Sequence, residues 1–210
     1  PQDRVLGMLP PFHSFGLTCT LFLPLLTGIR AVYHPNPTEG GQLARLIDAY
    51  RVTLLAGTPT FAAGILRAAA DPQIASLRRL ITGAEKCPDA LHDEIARRLP
   101  QARLIEGYGI TECSPILSLN DEKNPRRGSV GKILPSLHYA LVDPETASRR
   151  VPAGTPGLLL VRGPSIFSGY LHFEGASPFV EFDGHTWYRT GDLLREEPDG
   201  TLVFAGRLKR

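Results

Sequence analysis

Tyr108-Gly109-Ile110-Thr111-Glu112 puts an aromatic face, a glycine, a hydroxyl and a carboxylate within five residues. Tyr108 offers a flat ring for stacking. Gly109 permits a sharp turn or a close approach of backbone to a ligand. Thr111 can donate to a phosphate, and Glu112 supplies the hard oxygen that Mg²⁺ prefers. Such a set suits a nucleoside triphosphate with its metal. Four further clusters carry related chemistry. In Pro11-Phe12-His13-Ser14-Phe15-Gly16, backbone N–H groups at a helix start could face a carboxylate or phosphate; His13 could donate to it, with Phe12 and Phe15 as apolar walls. Thr82-Gly83-Ala84-Glu85 is small enough for a flat ring to lie against backbone. In Tyr188-Arg189-Thr190-Gly191-Asp192-Leu193, Asp192 can accept from two vicinal hydroxyls, as a ribose requires. In Gly206-Arg207-Leu208-Lys209-Arg210, Arg207 can reach a phosphate or ribose. Taken singly, each also reads as ordinary structure: a helix cap with core aromatics at His13, a strand-to-helix loop at Gly83, a capped turn at Asp192, a solvated basic tail at Arg207.

To position these groups the chain needs strands that end beside them. From residue 5 to about 119, short apolar runs alternate with amphipathic stretches. Val5–Leu9, residues 31–33, 53–56, 80–81 and 104–105 read as strands. Ser14 to Thr27 reads as a buried helix with Ser14 as its cap. Leu43, Leu46, Ile47 and Tyr50 recur at helical spacing over residues 40–50. Thr58 and Pro59 open a helix to Ala69. Pro88 to Leu99 carries acids early and Arg97 and Arg98 late, which complements the helix dipole. Alternation of this kind predicts an α/β fold, a mostly parallel sheet covered by helices. Ligands bind such sheets beyond the carboxyl ends of the strands, where Tyr108 to Glu112 fall. After about Arg127 helical periodicity stops, and residues 139–142, 158–161 and 202–204 read as strands separated by Asp-Pro and Asp-Gly turns. The expected division is an α/β part over residues 1–127 and a smaller, mostly-β subdomain of distorted-barrel type over residues 128–206.

Composition narrows the function classes. Hydrophobic content of 42% in 210 residues supports a substantial core. A net charge of +2 is too small to argue for nucleic acid or an anionic surface. Cys19, Cys87 and Cys113 are odd in number and widely spaced, without a Cys/His metal pattern, and fit a reducing, cytoplasmic compartment. Cys113 beside Glu112 reads as a small apolar filler rather than a nucleophile. His34, His92, His138, His172 and His185 show no ligand spacing and read as loop or surface residues. The apolar window Phe15–Ile29 is too short for a membrane span and is interrupted by Pro24.

The order of the five clusters along the chain resembles the adenylate-forming (AMP-binding) enzyme superfamily, which includes acyl-CoA synthetases, luciferases and peptide-synthetase adenylation domains. Pro10 to Gly16, Thr82 to Lys86 and Gly107 to Pro115 are most similar to the bacterial acyl-ACP synthetase branch, including the synthetase half of 2-acylglycerophosphoethanolamine acyltransferase. The resemblance implies an ATP-dependent fatty acid ligase. Such an enzyme joins a carboxylate to AMP, releases pyrophosphate and passes the acyl group to a thiol of CoA or acyl carrier protein. It implies that Tyr108 stacks on adenine, with Gly83, Ala84 and Glu85 bordering the ring and Gly109 beside it. Thr111 would bind phosphate, Glu112 would hold Mg²⁺, Asp192 the ribose hydroxyls, and Arg207 ribose or phosphate. His13 would lie near the acyl carboxylate. Lys209 falls at the family's hinge position, making residues 207–210 a stub toward a further C-terminal domain. The family's phosphate loop is expected before Pro1 and its catalytic lysine after Arg210, so the chain alone is expected to be inactive. The same resemblance leaves the cytoplasm and the cytoplasmic face of the inner membrane both open to the parent protein. A non-catalytic nucleotide-binding module, or a ligase for another carboxylate, are the alternative readings.

Overall fold

A computed structural model describes residues 2–208. Five parallel strands build the first layer: β1 (Arg4–Gly7), β2 (Arg30–Tyr33), β3 (Leu54–Gly57), β4 (Arg79–Thr82) and β5 (Arg103–Gly109), in the spatial order β2-β1-β3-β4-β5. Two antiparallel strands, β6 (Ile116–Leu119) and β7 (Lys132–Ile133), extend it to seven. Helices α3 (Gly40–Tyr50), α4 (Pro59–Ala68), α5 (Asp71–Ile74) and α6 (Asp89–Arg98) follow the strands. Leu43, Ile47, Ile65, Leu66, Leu91 and Ile95 from these helices meet Leu6, Leu55, Leu80 and Leu104 from the sheet in one apolar core. Burying side chains of this size contributes about 1.5–3 kcal/mol each, so the parallel sheet is the rigid base for whatever its strand ends carry.

Local chemistry sets the helix ends. Thr58 caps α4, its side chain accepting from the Phe61 N–H, and Pro59 opens the first turn, where its missing N–H costs nothing. In α6, Asp89 lies in the first turn and Arg97 and Arg98 in the last, as the dipole favours. The stretch from Ser14 to Thr27 departs from expectation. It divides into α1 (Ser14–Gly16), a π-helical segment over Leu17–Phe22 and α2 (Leu23–Thr27). Leu25 and Leu26 are exposed and only one side is buried, through Gly16, Cys19, Thr20 and Pro24. The cap is His13 rather than Ser14: its Nδ1 accepts from the Phe15 N–H at 3.2 Å.

The second sheet is antiparallel: β8 (His138–Val142), β9 (Gly157–Arg162), β10 (Phe179–Phe182), β11 (His185–Glu196) and β12 (Leu202–Arg207), ordered β10-β11-β9-β8 with β12 also on β11. With the parallel sheet it gives the mixed α/β architecture expected from sequence. The two sheets are stitched where Val130 N donates to Leu202 O and Leu202 N to Gly131 O, both at 2.8 Å. β11 is bulged between Arg189 and Leu193. Within that bulge the Thr190 hydroxyl donates to Leu159 O and accepts from Asp192 N, while Gly191 takes a φ of 79° that only glycine adopts without strain. The bulge turns Asp192 inward, leaving it 2% exposed. No helix among the described residues is long and apolar enough to cross a membrane.

Candidate active site

A cleft of about 300 Å³ opens where β1, β4 and β5 end. His13, Ser14 and Phe15 form one side, Thr82, Gly83 and Ala84 the second, and Gly107 to Glu112 the floor, with Arg207 at the rim. Three segments more than twenty residues apart therefore converge because parallel strands place all their carboxyl ends on one edge. A second cavity of about 670 Å³ adjoins it, lined by Tyr188 to Asp192 and sharing Ile110, Glu112 and Arg207 with the first.

Tyr108 is buried in the cleft floor. Its hydroxyl donates to Asp192 Oδ2 at 2.6 Å, while Arg207 Nε donates to Asp192 Oδ1 at 2.7 Å. Burial, followed by the Asp192 charge, pushes the Tyr108 phenol far above its ordinary range, so it stays a neutral donor. Each Asp192 oxygen keeps a lone pair beyond these bonds, so the carboxylate retains acceptor capacity. On the facing wall, Ser14 Oγ lies 3.0 Å from Thr111 Oγ1, joining the first loop to the floor. Because His13 Nδ1 accepts the Phe15 N–H, its neutral ring carries the proton on Nε2 and can donate from there.

Glu112 is half-buried and lines both cavities. Its backbone carbonyl accepts from Phe167 N at 2.8 Å, and its Oε1 accepts from the Tyr170 hydroxyl at 2.6 Å. The Tyr188 phenol lies close enough to Tyr170 and Glu112 for them, after burial, to push it far above its ordinary range, and Phe167 stacks edge-on against both tyrosine rings. This aromatic bracket was not foreseen from sequence. Tyr170 lies in a loop without periodicity, and only the density of aromatics from Phe167 to Phe173 marks it.

Other expected residues fall differently. Gly109 makes its close approach to protein: a Cβ there would lie 1.9 Å from the Pro115 carbonyl, so the glycine is needed for the β5–β6 turn. Ala84 reaches the cleft wall with φ at 68°, a left-handed conformation that costs a non-glycine residue energy. Glu85 does not line the cleft; it accepts from Thr60 Oγ1 at 2.6 Å at the start of α4. Phe15 lines the cleft but Phe12 is 92% exposed. His92, expected at the surface, is buried against Glu106. Lys209 lies outside the described residues.

A nucleotide and a divalent cation suit these groups. A Cβ at Gly83 would press the Gly107 carbonyl at 3.2 Å, so the wall is flat because it lacks side chains. Glu112 and Thr111 offer hard oxygens beside it.

The sequence model of AMP-binding enzymes matches residues 1–171. The chain belongs to the AMP-binding enzyme family. It is 31% identical over 218 residues to 4-coumarate–CoA ligase 2 of Oryza sativa subsp. japonica and 33% identical over 221 residues to 4-coumarate–CoA ligase 3 of Arabidopsis thaliana. These alignments cover 99% of this chain and 37% and 38% of those proteins, so the chain spans well under half the length of the curated relatives it matches. Among solved structures it is similar to ATP-bound MatB from Rhodopseudomonas palustris, with a TM-score of 0.86 and 27% identity over 99% of this chain and 40% of that one. It is likewise similar to a benzoate CoA ligase from Burkholderia xenovorans LB400, with a TM-score of 0.86 and 26% identity over 98% of this chain and 42% of that one.

In this AMP-binding domain all three cysteines are buried. Burial raises Cys19 and Cys87 to about 11 and Cys113 to about 12, which leaves Cys113 inert as a nucleophile. Ellman's reagent at neutral pH is expected to titrate none of the thiols in the native chain and all three in denaturant. Rapid reaction of one thiol in the native chain would contradict the packing.

Proposed function

We propose that this chain supplies the nucleotide-binding part of an ATP-dependent acid–thiol ligase. In this reading the enzyme joins a carboxylate to AMP with release of pyrophosphate, then transfers the acyl group to a thiol. The observation that carries it is the convergence of Tyr108, Thr111, Glu112, Gly83 and His13 on one cleft, with Asp192 and Arg207 bonded together at its edge. Membership in the AMP-binding family supports the same reading.

The division of labour in this reading is taken from the family resemblance, and the placement of these residues around the cleft supports it. Gly83, Ala84 and the Tyr108 ring form the base-binding wall. Asp192, fixed by Tyr108 and Arg207, presents its remaining lone pairs to the ribose hydroxyls. Thr111 binds phosphate, and Glu112 holds Mg²⁺, which when bound neutralises phosphate charge. His13 Nε2 orients the acyl carboxylate. Joining two anions needs alignment and charge neutralisation more than covalent help from protein. Apolar residues at the cleft (Phe15, Ile81, Ile110, Ile116, Leu119) favour an apolar acyl group, aliphatic or aromatic. The names of the relatives favour CoA over acyl carrier protein as acceptor. By the family resemblance, Lys209 would serve as the hinge to the remainder of the protein.

The test uses the full reading frame that encodes this chain. Pyrophosphate release is measured over a panel of fatty, aromatic and amino acids, followed by thioester formation with CoA or acyl carrier protein. Carboxylate-dependent pyrophosphate release is the expected result. Tight ATP binding without any release would favour a non-catalytic nucleotide-binding module.

A further inference from the structure

Beneath the floor of the cleft, between α6 and strands β4 and β5, lies a polar cluster that the nucleotide chemistry does not use. Thr82 and Glu106 are paired in the β4–β5 register, one repeat beyond Leu80 and Leu104. Side chains alternate along a strand, so all four face the core that Leu91 and Ile95 of α6 complete. Cys87, just before α6, and His92, on its first turns, join them there. The Cys87 Sγ, a His92 ring nitrogen and a Glu106 carboxylate oxygen all lie within 4.8 Å of one another. Cys87 is 4%, His92 8% and Glu106 7% exposed. His92 Nε2 is 3.0 Å from Glu106 Oε1, which also accepts from Gly128 N at 3.2 Å. Thr82 Oγ1 is buried beside the Cys87 thiol without closing a full hydrogen bond to it. A buried hydroxyl left in that state is costly and rare.

We propose that Cys87, His92 and Glu106 form a binding site for a single zinc-type divalent cation, with Thr82 beside its fourth position. The donor set decides the class of ion. One thiolate, one imidazole and one carboxylate suit Zn²⁺ in four-coordinate geometry, whereas Mg²⁺ demands six oxygens. Separations within 4.8 Å need only small side-chain movement to close around one ion. The His92–Glu106 hydrogen bond is exchanged for two metal bonds: the proton it holds leaves the ligating nitrogen to solvent while the other ring nitrogen of the neutral imidazole takes one up, so His92 changes tautomer without changing charge. As the sulfur–metal bond forms, the Cys87 proton leaves to solvent, so charge and atoms balance. Gly128 N continues to orient the carboxylate, the kind of outer contact that metal ligands use. Sequence spacing alone hides this site, because Glu106 comes from a different strand. The site ties the Gly83–Ala84 wall to β5, so its occupancy stiffens the cleft. The proposal stands apart from the ligase reading.

The chain is stripped with chelator and titrated with Co²⁺ and Zn²⁺. Expected are a near-ultraviolet thiolate-to-cobalt charge-transfer band, binding of one ion per chain by calorimetry, and a rise in Tm with Zn²⁺ but not Mg²⁺. Cys87→Ser should abolish the band, and His92→Gln should weaken Zn²⁺ binding by about tenfold or more. Cys19→Ser and Cys113→Ser should leave both unchanged. Wild-type chain that shows neither the band nor a Zn²⁺-dependent Tm overturns the site whatever the variants do. A band that survives Cys87→Ser overturns it as well.

Discussion

If the parent protein is the proposed ligase, Glu112→Ala in it is expected to lower acyl-AMP formation with Mg²⁺ present by about 10²–10³-fold, the usual cost of removing a group aimed at charge in the transition state. The carboxylate lines both cavities and is aimed by Tyr170 and by the Phe167 contact to its backbone. Its loss removes the proposed metal ligand without opening the core, since the side chain is only half-buried. Tyr170→Phe is the informative companion. It keeps the ring packed against Phe167 and deletes only the hydroxyl. The expected loss is about tenfold, as for other partners that orient a ligand, and it should appear as a higher Mg²⁺ requirement. Carboxylate-dependent ATP–pyrophosphate exchange across a Mg²⁺ titration measures both. Full activity in Glu112→Ala would remove this residue from the metal role.

Asp192→Ala is expected to destabilise the fold as well as weaken nucleotide binding. The two bonds to this carboxylate differ in worth. Arg207 is 70% exposed at its side chain, so its ion pair with Asp192 is screened and contributes little. Tyr108 is 9% exposed, and its hydroxyl would be orphaned in the core. An orphaned buried hydroxyl costs about 1–3 kcal/mol, and about 2 kcal/mol lowers the Tm of a domain this size by about 4–8 °C. Asp192→Asn retains an acceptor for Tyr108 and should recover most of the Tm while leaving nucleotide affinity reduced. Thermal melts paired with ATP titration separate the two effects. An unchanged Tm in Asp192→Ala would show that the Tyr108 contact is not part of the folded core.

Where sequence periodicity and local chemistry agree, the fold was legible. Leu43 and Ile47 mark the inner face of α3, the Thr58-Pro59 pair opens α4, and the acidic start and basic end of α6 fix its direction. Long-range geometry was not. β11, at 12 residues the longest strand, has no strand reading in the sequence, where residues 188–193 read as a ribose-binding cluster or, alternatively, a capped turn; the bulge at Thr190-Gly191 interrupts the alternation that would mark it. Ser14 to Thr27 is apolar enough to predict burial, yet it packs on one side only, so Leu25 and Leu26 face solvent. Residues of the cleft were found through their order along the chain. The groups that hold them, such as Tyr170 behind Glu112, sit on loops that carry no period.

The bond between Tyr108 and Asp192 joins residues 84 positions apart. During synthesis the parallel strands can pair as soon as β5 has emerged, but the cleft-floor tyrosine must wait for the bulge of β11. At about 5–20 residues per second, the 84-residue separation corresponds to roughly 4–17 s on the ribosome. Through that interval the nascent sheet displays a half-built cleft with an unpartnered phenol and uncovered apolar floor. The completed pocket is thus a late event in the life of the chain, and slow codons between β5 and β11 would lengthen the window in which chaperones must shield it.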